Sequence, residues 1–126
     1  MNIIRDSMKP PLDADAARRL PVRPQAFAVL AALADGARPG IEVLDAVNHT
    51  VPGRRLLGPG TLYRLMRELR HDGLITRVPR AGSQLDERQV NHRLTPLGGA
   101  VLRAELSRLR RTIGLVRMVR AAPGEP

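Results

Sequence analysis

A mainly α chain carrying one small β-hairpin is what this sequence of 126 residues predicts, and three observations carry the prediction. Apolar residues recur at helical spacing in separate segments, each bounded by Pro or Gly. Two short β-type runs, Leu74–Pro79 and Gln89–Leu94, flank a polar tip over Arg80–Arg88. From Thr95 onward a single long helical pattern runs to about Ala121. No internal repeat or low-complexity tract competes with this order.

Residues 1–20, MNIIRDSMKPPLDADAARRL, are polar and broken by Pro10-Pro11. They predict a flexible arm, with room for a helical turn over Asp13–Leu20. In PVRPQAFAVLAALADG, Pro24 suits the first helical position and Gly36 the stop. Phe27, Leu30, Ala31 and Ala34 fall at i, i+3, i+4 and i+7 and predict the buried face. After a turn at Ala37–Gly40, a second helix is expected from about Ile41 to His49, with Ile41, Leu44 and Val47 inward. Pro52-Gly53 breaks the pattern, and Arg55–Leu57 offers a very short strand.

The next segment, GPGTLYRLMRELRHDGLI, has clean limits. Pro59 sits at the first helical position, Gly73 supplies a left-handed cap, and Leu74 folds back on the last turn. Leu62, Leu65, Met66 and Leu69 form a core-facing stripe. Opposite them lie Arg64, Arg67 and His71, with Tyr63 and Arg70 on one flank and Thr61 and Glu68 on the other. About 14 residues of helix span roughly 21 Å, a length that fits a major groove. Backbone N–H groups at Gly60 and Thr61 face the anion end of this helix. Helix, helix, short strand, helix, hairpin and long helix is the order that a winged helix-turn-helix requires.

Charge agrees with that reading. The formal net charge is +9, and only Lys9 among the 21 basic residues is lysine. Residues 1–60 hold 8 basic and 6 acidic side chains, whereas residues 61–126 hold 13 and 6. A small chain with so uneven a positive charge most often meets a polyanion. Arg54 and Arg55 precede the arginine-bearing helix, and Arg77, Arg80 and Arg88 lie on or beside the hairpin. All five are placed to reach phosphate, although Asp86 and Glu87 weaken the signal at the tip.

The last helix has two apolar sides. Leu97, Val101 and Ala104 cluster on one and are expected to close the domain's own core. Leu102, Leu106, Leu109, Ile113 and Val116 are spaced 4, 3, 4, 3 on another, the seam of a coiled coil. One domain supplies one partner, so the second stripe predicts a two-fold homodimer. The expected organisation is an arm at 1–20, a DNA-binding domain at 21–95, a dimerisation helix at 96–122 and a disordered tail at 123–126.

Three blocks together resemble one family. LPVRPQAFAVLAALADG, LGPGTLYRLMRELRHDGLI and DERQVNHRLTPLGGAVL, in this order over roughly residues 20–103, look like the PadR family of winged-helix transcriptional regulators. The resemblance implies a bacterial homodimer that binds operator DNA, usually as a repressor. It also implies that the helix starting at Pro59 is the recognition helix, with Thr61, Tyr63 and Arg64 at matching positions. The chain departs from the family twice: Pro39-Gly40-Ile41 stands where the family tends to have His-Gly-Tyr, and Asn91-His92 where it tends to have two tyrosines. Some relatives sense small molecules at the dimer interface. With Phe27 and Tyr63 the only aromatics, a stacked aromatic effector is disfavoured and an aliphatic one stays open.

Other classes fit less well. Without cysteine there is no disulfide framework, thiolate metal site or thiol redox switch. Ser7, Ser83 and Ser107 lack a nucleophile-elbow context, Gly58-Pro59-Gly60 is not followed by a phosphate-loop lysine, and His49, His71 and His92 lack metal-ligand spacing. Neither an enzyme nor a cofactor is expected. Gly98-Gly99 reads as a close-packing site. The polar opening, MNIIRDSMKP, is not a signal peptide, and no apolar run would span a membrane, so a cytoplasmic protein, nucleoid-associated when bound to DNA, is expected. A basic RNA-binding or ribosome-associated protein would account for the charge but not for the seam. A winged helix used only for protein contacts would leave the arginine face idle.

Overall fold

The structure, a computed structural model, describes residues 12–79, 86 and 88–120. The first half of the arm, Arg80, Glu87 and the tail therefore lie outside the described residues. In chain order the elements are α1 (12–18), α2 (Pro24–Ala32), β1 (Arg38–Pro39), α3 (Gly40–Asn48), α4 (Pro59–His71), β2 (Ile75–Val78), β3 (Asn91–Leu94) and α5 (Pro96–Arg120). The three strands form an antiparallel sheet in the order β1-β3-β2. This is a mostly helical winged-helix fold, as the element order predicts.

The core gathers the inner faces of α2, α3, α4 and α5. Val29, Leu30, Val43, Val47, Leu62, Met66 and Val101 are completely buried there. Each such side chain contributes on the order of 1.5–3 kcal/mol over its exposed state. The α4 stripe Leu62, Leu65, Met66 and Leu69 is buried as its spacing predicts.

Local chemistry fixes the junction after α4. Gly73 takes φ +77°, its N–H donates to the Arg70 carbonyl at 3.0 Å, and the Leu74 N–H donates to the Leu69 carbonyl at 2.9 Å. That pair of bonds is a Schellman cap, and Leu74 turns inward to complete it. Thr95 then caps α5: its Oγ1 accepts from the Gly98 N–H at 3.0 Å and donates to the Gly73 carbonyl at 2.5 Å. The end of α4 and the start of α5 thus share one hydrogen-bonded corner. A Cβ at residue 98 would overlap the Leu74 carbonyl oxygen, so close packing is the reason for Gly98.

Five expectations change. Residues 12–18 are helical and docked. Ala16 is buried in the core, Asp15 pairs with Arg18 at 3.5 Å and Arg19 at 3.4 Å, and Arg19 Nη1 donates to the Asp72 carbonyl at 3.4 Å. A seven-residue helix is marginal alone, and docking is what stabilises it.

The additional strand is Arg38–Pro39 and not Arg55–Leu57. Asn48 occupies the backbone groups that a partner strand would have used: Leu57 N–H donates to Asn48 Oδ1 at 2.7 Å, and Asn48 Nδ2 donates to the Leu57 carbonyl at 2.9 Å. Pro39, which has no N–H, sits on an edge strand where the lack is harmless.

The buried face of α2 is Ala26, Val29, Leu30 and Leu33, while Ala31 and Ala34 are exposed and Phe27 is half-buried. AFAVLAALA is apolar all round, and the larger aliphatic side chains take the interior. In α3 the buried positions are Gly40, Val43 and Val47. Helical spacing from Gly40 leaves Ile41 49% exposed and Leu44 half-buried.

Finally, Leu102 is only 6% exposed and belongs to the domain core, not to the free seam. It follows the fully buried Val101, so the inner face of α5 is wider than the Leu97, Val101 and Ala104 cluster suggests.

Candidate nucleic-acid interface

The fold leaves one side of α4 without a protein partner. Its 13 residues span about 20 Å. Gly60, Thr61, Arg64, Arg67 and His71 are exposed along it, while Tyr63 and Arg70 are half-buried on the flank. Arg64, Arg67, Glu68, His71 and Asp72 border one shallow depression. A second is lined by Gly60, Tyr63 and Arg67 from α4 and by Asp86 and Arg88 from the hairpin. The second depression therefore lies between the helix and the wing, and Arg67 borders both.

The charges on this surface differ in how free they are. Among the described residues, neither Arg64 nor Arg67 has an ion-pair partner, so both guanidinium forks are available. Glu68, the acid on the same helix, is drawn to Arg23 at 3.5 Å, an exposed pair of small energetic weight. Arg88 is engaged: its backbone N–H donates to Asp86 Oδ1 at 3.1 Å and its Nη2 to Oδ2 at 3.4 Å. Arg54 and Arg55 are exposed in the loop before α4, and Arg77 is exposed on β2. The structure thus brings Gly60, Tyr63, Arg64, Arg67, His71 and Arg88 to one surface.

Two further groups matter and are not obvious from the sequence. His92, 0% exposed, lies in the central strand and its Nε2 is 3.1 Å from Arg70 Nη1. Glu105, 2% exposed, accepts from Arg108 Nε at 2.6 Å and Nη2 at 2.9 Å, and from the Val22 N–H at 3.2 Å. The Arg108 hydrogen bonds outweigh burial and hold the Glu105 carboxyl below the ordinary carboxylate range. Its i,i+3 spacing from Arg108 is the one sequence signal that could have found it. Among the described residues no group of three or more His, Cys, Asp or Glu could hold a metal ion, and no helix is long and apolar enough to cross a membrane.

Along α5, beyond the core, Leu106, Ile113, Leu115 and Val116 are exposed and Leu109 is half-buried. Ile113 at 64% and Leu115 at 67% are unusually open for aliphatic side chains. The seam expected from Leu106, Leu109, Ile113 and Val116 is therefore uncovered within the single chain, whereas Leu115 lies on a different side of the helix.

Residues 29–104 match the transcriptional regulator PadR-like family, from within α2 to the third turn of α5. The chain belongs to that family. Solved structures with the same fold include a PadR family transcription regulator from hypervirulent Clostridium difficile, with a TM-score of 0.62 and 16% identity over 77% of this chain and 98% of that one. A MarR family transcriptional regulator from Silicibacter pomeroyi has a TM-score of 0.59 and 21% identity, over 95% and 81% of the two chains. A mutant of ZitR from Lactococcus lactis has a TM-score of 0.59 and 16% identity over 78% of this chain, which spans 60% of that protein's length. No curated protein matches the sequence. The PadR-like match spans α3, α4 and the wing.

Proposed function

We propose that this PadR-like regulator is a repressor that binds a pseudo-palindromic operator as a homodimer. The observation that carries the reading is the free pair Arg64 and Arg67 on the face of α4 opposite Leu62, Leu65, Met66 and Leu69. In this reading residues 21–95 form the DNA-binding domain, and α4 enters the major groove. Gly60, Thr61, Tyr63, Arg64, Arg67 and His71 face the bases and adjoining phosphates. Arg54, Arg55, Arg77, Arg80 and Arg88 reach the flanking backbone, supplying affinity and register while the groove contacts supply sequence choice.

The open aliphatic seam of residues 96–122 pairs with its copy. Two recognition helices about 34–36 Å apart then read two half-sites one helical turn apart. Occupancy of the operator blocks the polymerase. A cytoplasmic location, on the nucleoid when bound, fits this role, as does an aliphatic effector held between protomers.

The test is anisotropy with a labelled duplex from upstream of the protein's own gene, an unrelated duplex as control, and an Arg64→Ala/Arg67→Ala variant alongside. Selective binding that weakens steeply with salt and is lost in the variant supports the reading. Equal affinity for both duplexes removes sequence-selective regulation as the function.

A further inference from the structure

α4 carries three arginines, and they do not point the same way. Arg64 and Arg67 are exposed, whereas Arg70 is half-buried and turned to the wing. Its Nη1 lies 3.1 Å from His92 Nε2, and His92 Nδ1 lies 3.0 Å from the Val90 carbonyl. A guanidinium only donates and a carbonyl only accepts. The ring is therefore the neutral Nδ1–H tautomer, accepting at Nε2 and donating at Nδ1.

The position of this link gives it a geometric role. The hairpin is anchored at its base by the Gly73 cap and by Thr95, beside the pair Ile75 and Leu94. His92 stands opposite Arg77, two residues further out along the strands, or about 7 Å. Across β3 on the other side it stands opposite Arg38. Toward α4 the hairpin has two ties at different heights, the Thr95 corner and the Arg70–His92 link, while β1 and the Ile41 N–H, which donates to the Arg88 carbonyl at 2.8 Å, hold it on the other side. We propose that His92, acting through Arg70, is the positioning residue that sets the wing against the recognition helix. The proposal rests on the reading of α4 and the wing as a duplex-binding unit. It assigns Arg70 to the frame that aims Arg77 and Arg88.

Leucine at 92 fills a similar volume but offers Arg70 no acceptor and Val90 no donor. Glutamine offers both, through its amide oxygen and nitrogen. The experiment measures binding of a mixed-sequence duplex as a function of salt for the wild type, His92→Gln, His92→Leu, Arg77→Ala/Arg88→Ala, and the last two combined. The wing double variant is expected to make the log–log salt slope shallower by about two, one for each phosphate that is no longer neutralised. His92→Leu should reproduce that shallower slope although its own side chain is buried, and the combination should add nothing. His92→Gln should keep the wild-type slope. An unchanged slope in His92→Leu, or full additivity in the combination, overturns the proposal.

NMR on the free protein decides the case separately. Imidazole 15N shifts should report a protonated Nδ1 and a bare Nε2, and residual dipolar couplings should show a changed α4-to-hairpin orientation in His92→Leu. The opposite tautomer, or an unchanged orientation, also overturns it. Should His92→Leu fail to fold, Arg70→Gln takes its place in both arms. If the wild type binds no duplex, the functional reading falls while the NMR arm still decides the positioning pair.

Discussion

Gly98 lies so close to Leu74 that any side chain at 98 would occupy the space of the Leu74 carbonyl oxygen. The obstacle is backbone, held by the Gly73 cap and the Thr95 hydrogen bonds, and it has no flexible end that could swing away. Gly98→Ala is expected to destabilise the fold by about 1–3 kcal/mol. Gly99 next to it meets only the tip of Arg103 at 3.3 Å. Gly99→Ala should be neutral or stabilise by up to about 1 kcal/mol through helix propensity. Urea unfolding of the two variants separates close packing from a general dislike of substitution at the helix start.

Asn48 holds Leu57 by both backbone groups, which seats the loop ahead of α4. Asn48→Ala should lower stability by about 1–3 kcal/mol, because two buried backbone groups lose their partners. Asn48→Asp keeps the acceptor for the Leu57 N–H but removes the donor to its carbonyl, and should fall between the two. Thermal melts rank the three.

Arg64→Ala/Arg67→Ala should leave the melting temperature unchanged, since both side chains are exposed and neither is ion-paired among the described residues. Duplex affinity should fall, with a salt slope shallower by about two if both reach phosphate. A drop in melting temperature of several degrees would return both residues to a structural role.

On α5 the boundary between core and seam gives opposite phenotypes. Leu102→Ala should cost about 2–5 kcal/mol of stability. Ile113→Glu should leave the fold of the domain intact and abolish the self-association proposed above, since Ile113 is exposed. Sedimentation velocity together with circular dichroism distinguishes the two outcomes.

Glu105 makes stability depend on pH with a definite sign. Its carboxyl is held below its ordinary value in the folded chain, so the unfolded chain takes up a proton first as pH falls. The stabilisation is complete above the ordinary carboxylate range, near pH 4.5, and is lost as pH drops through the folded value. Glu105→Gln should lose this component at neutral pH and show a flatter acid limb. Denaturant midpoints between about pH 3 and 7 test it.

How much of this was legible depended on how one-sided each segment is. α4 could be placed to within one residue because charged and aliphatic positions separate cleanly and Pro59 and Gly73 bound them. α2 could be located but not oriented, since AFAVLAALA offers no polar side to mark the exterior. β1 is two residues long and contains Pro39, so nothing local marks it; only its pairing with Asn91 and His92 makes it a strand. α1 showed only as a helical turn over Asp13–Leu20, and its docking was not legible because that stability comes from contacts with the rest of the chain. In the site, the exposed arginines were readable from the helix period. The turn of Arg70 toward His92 was not, because it depends on a strand that packs against the helix from elsewhere in the chain.

The corner shared by Gly73, Leu74, Thr95 and Gly98 has a mechanical meaning. α5 leaves it as a rod of 25 residues, about 37 Å long. A swing of about 5° at that corner carries the far tip through about 3 Å, close to one base-pair step. α5 and α4 are thus two arms of one bell crank, and a few atoms at its elbow set the angle between them.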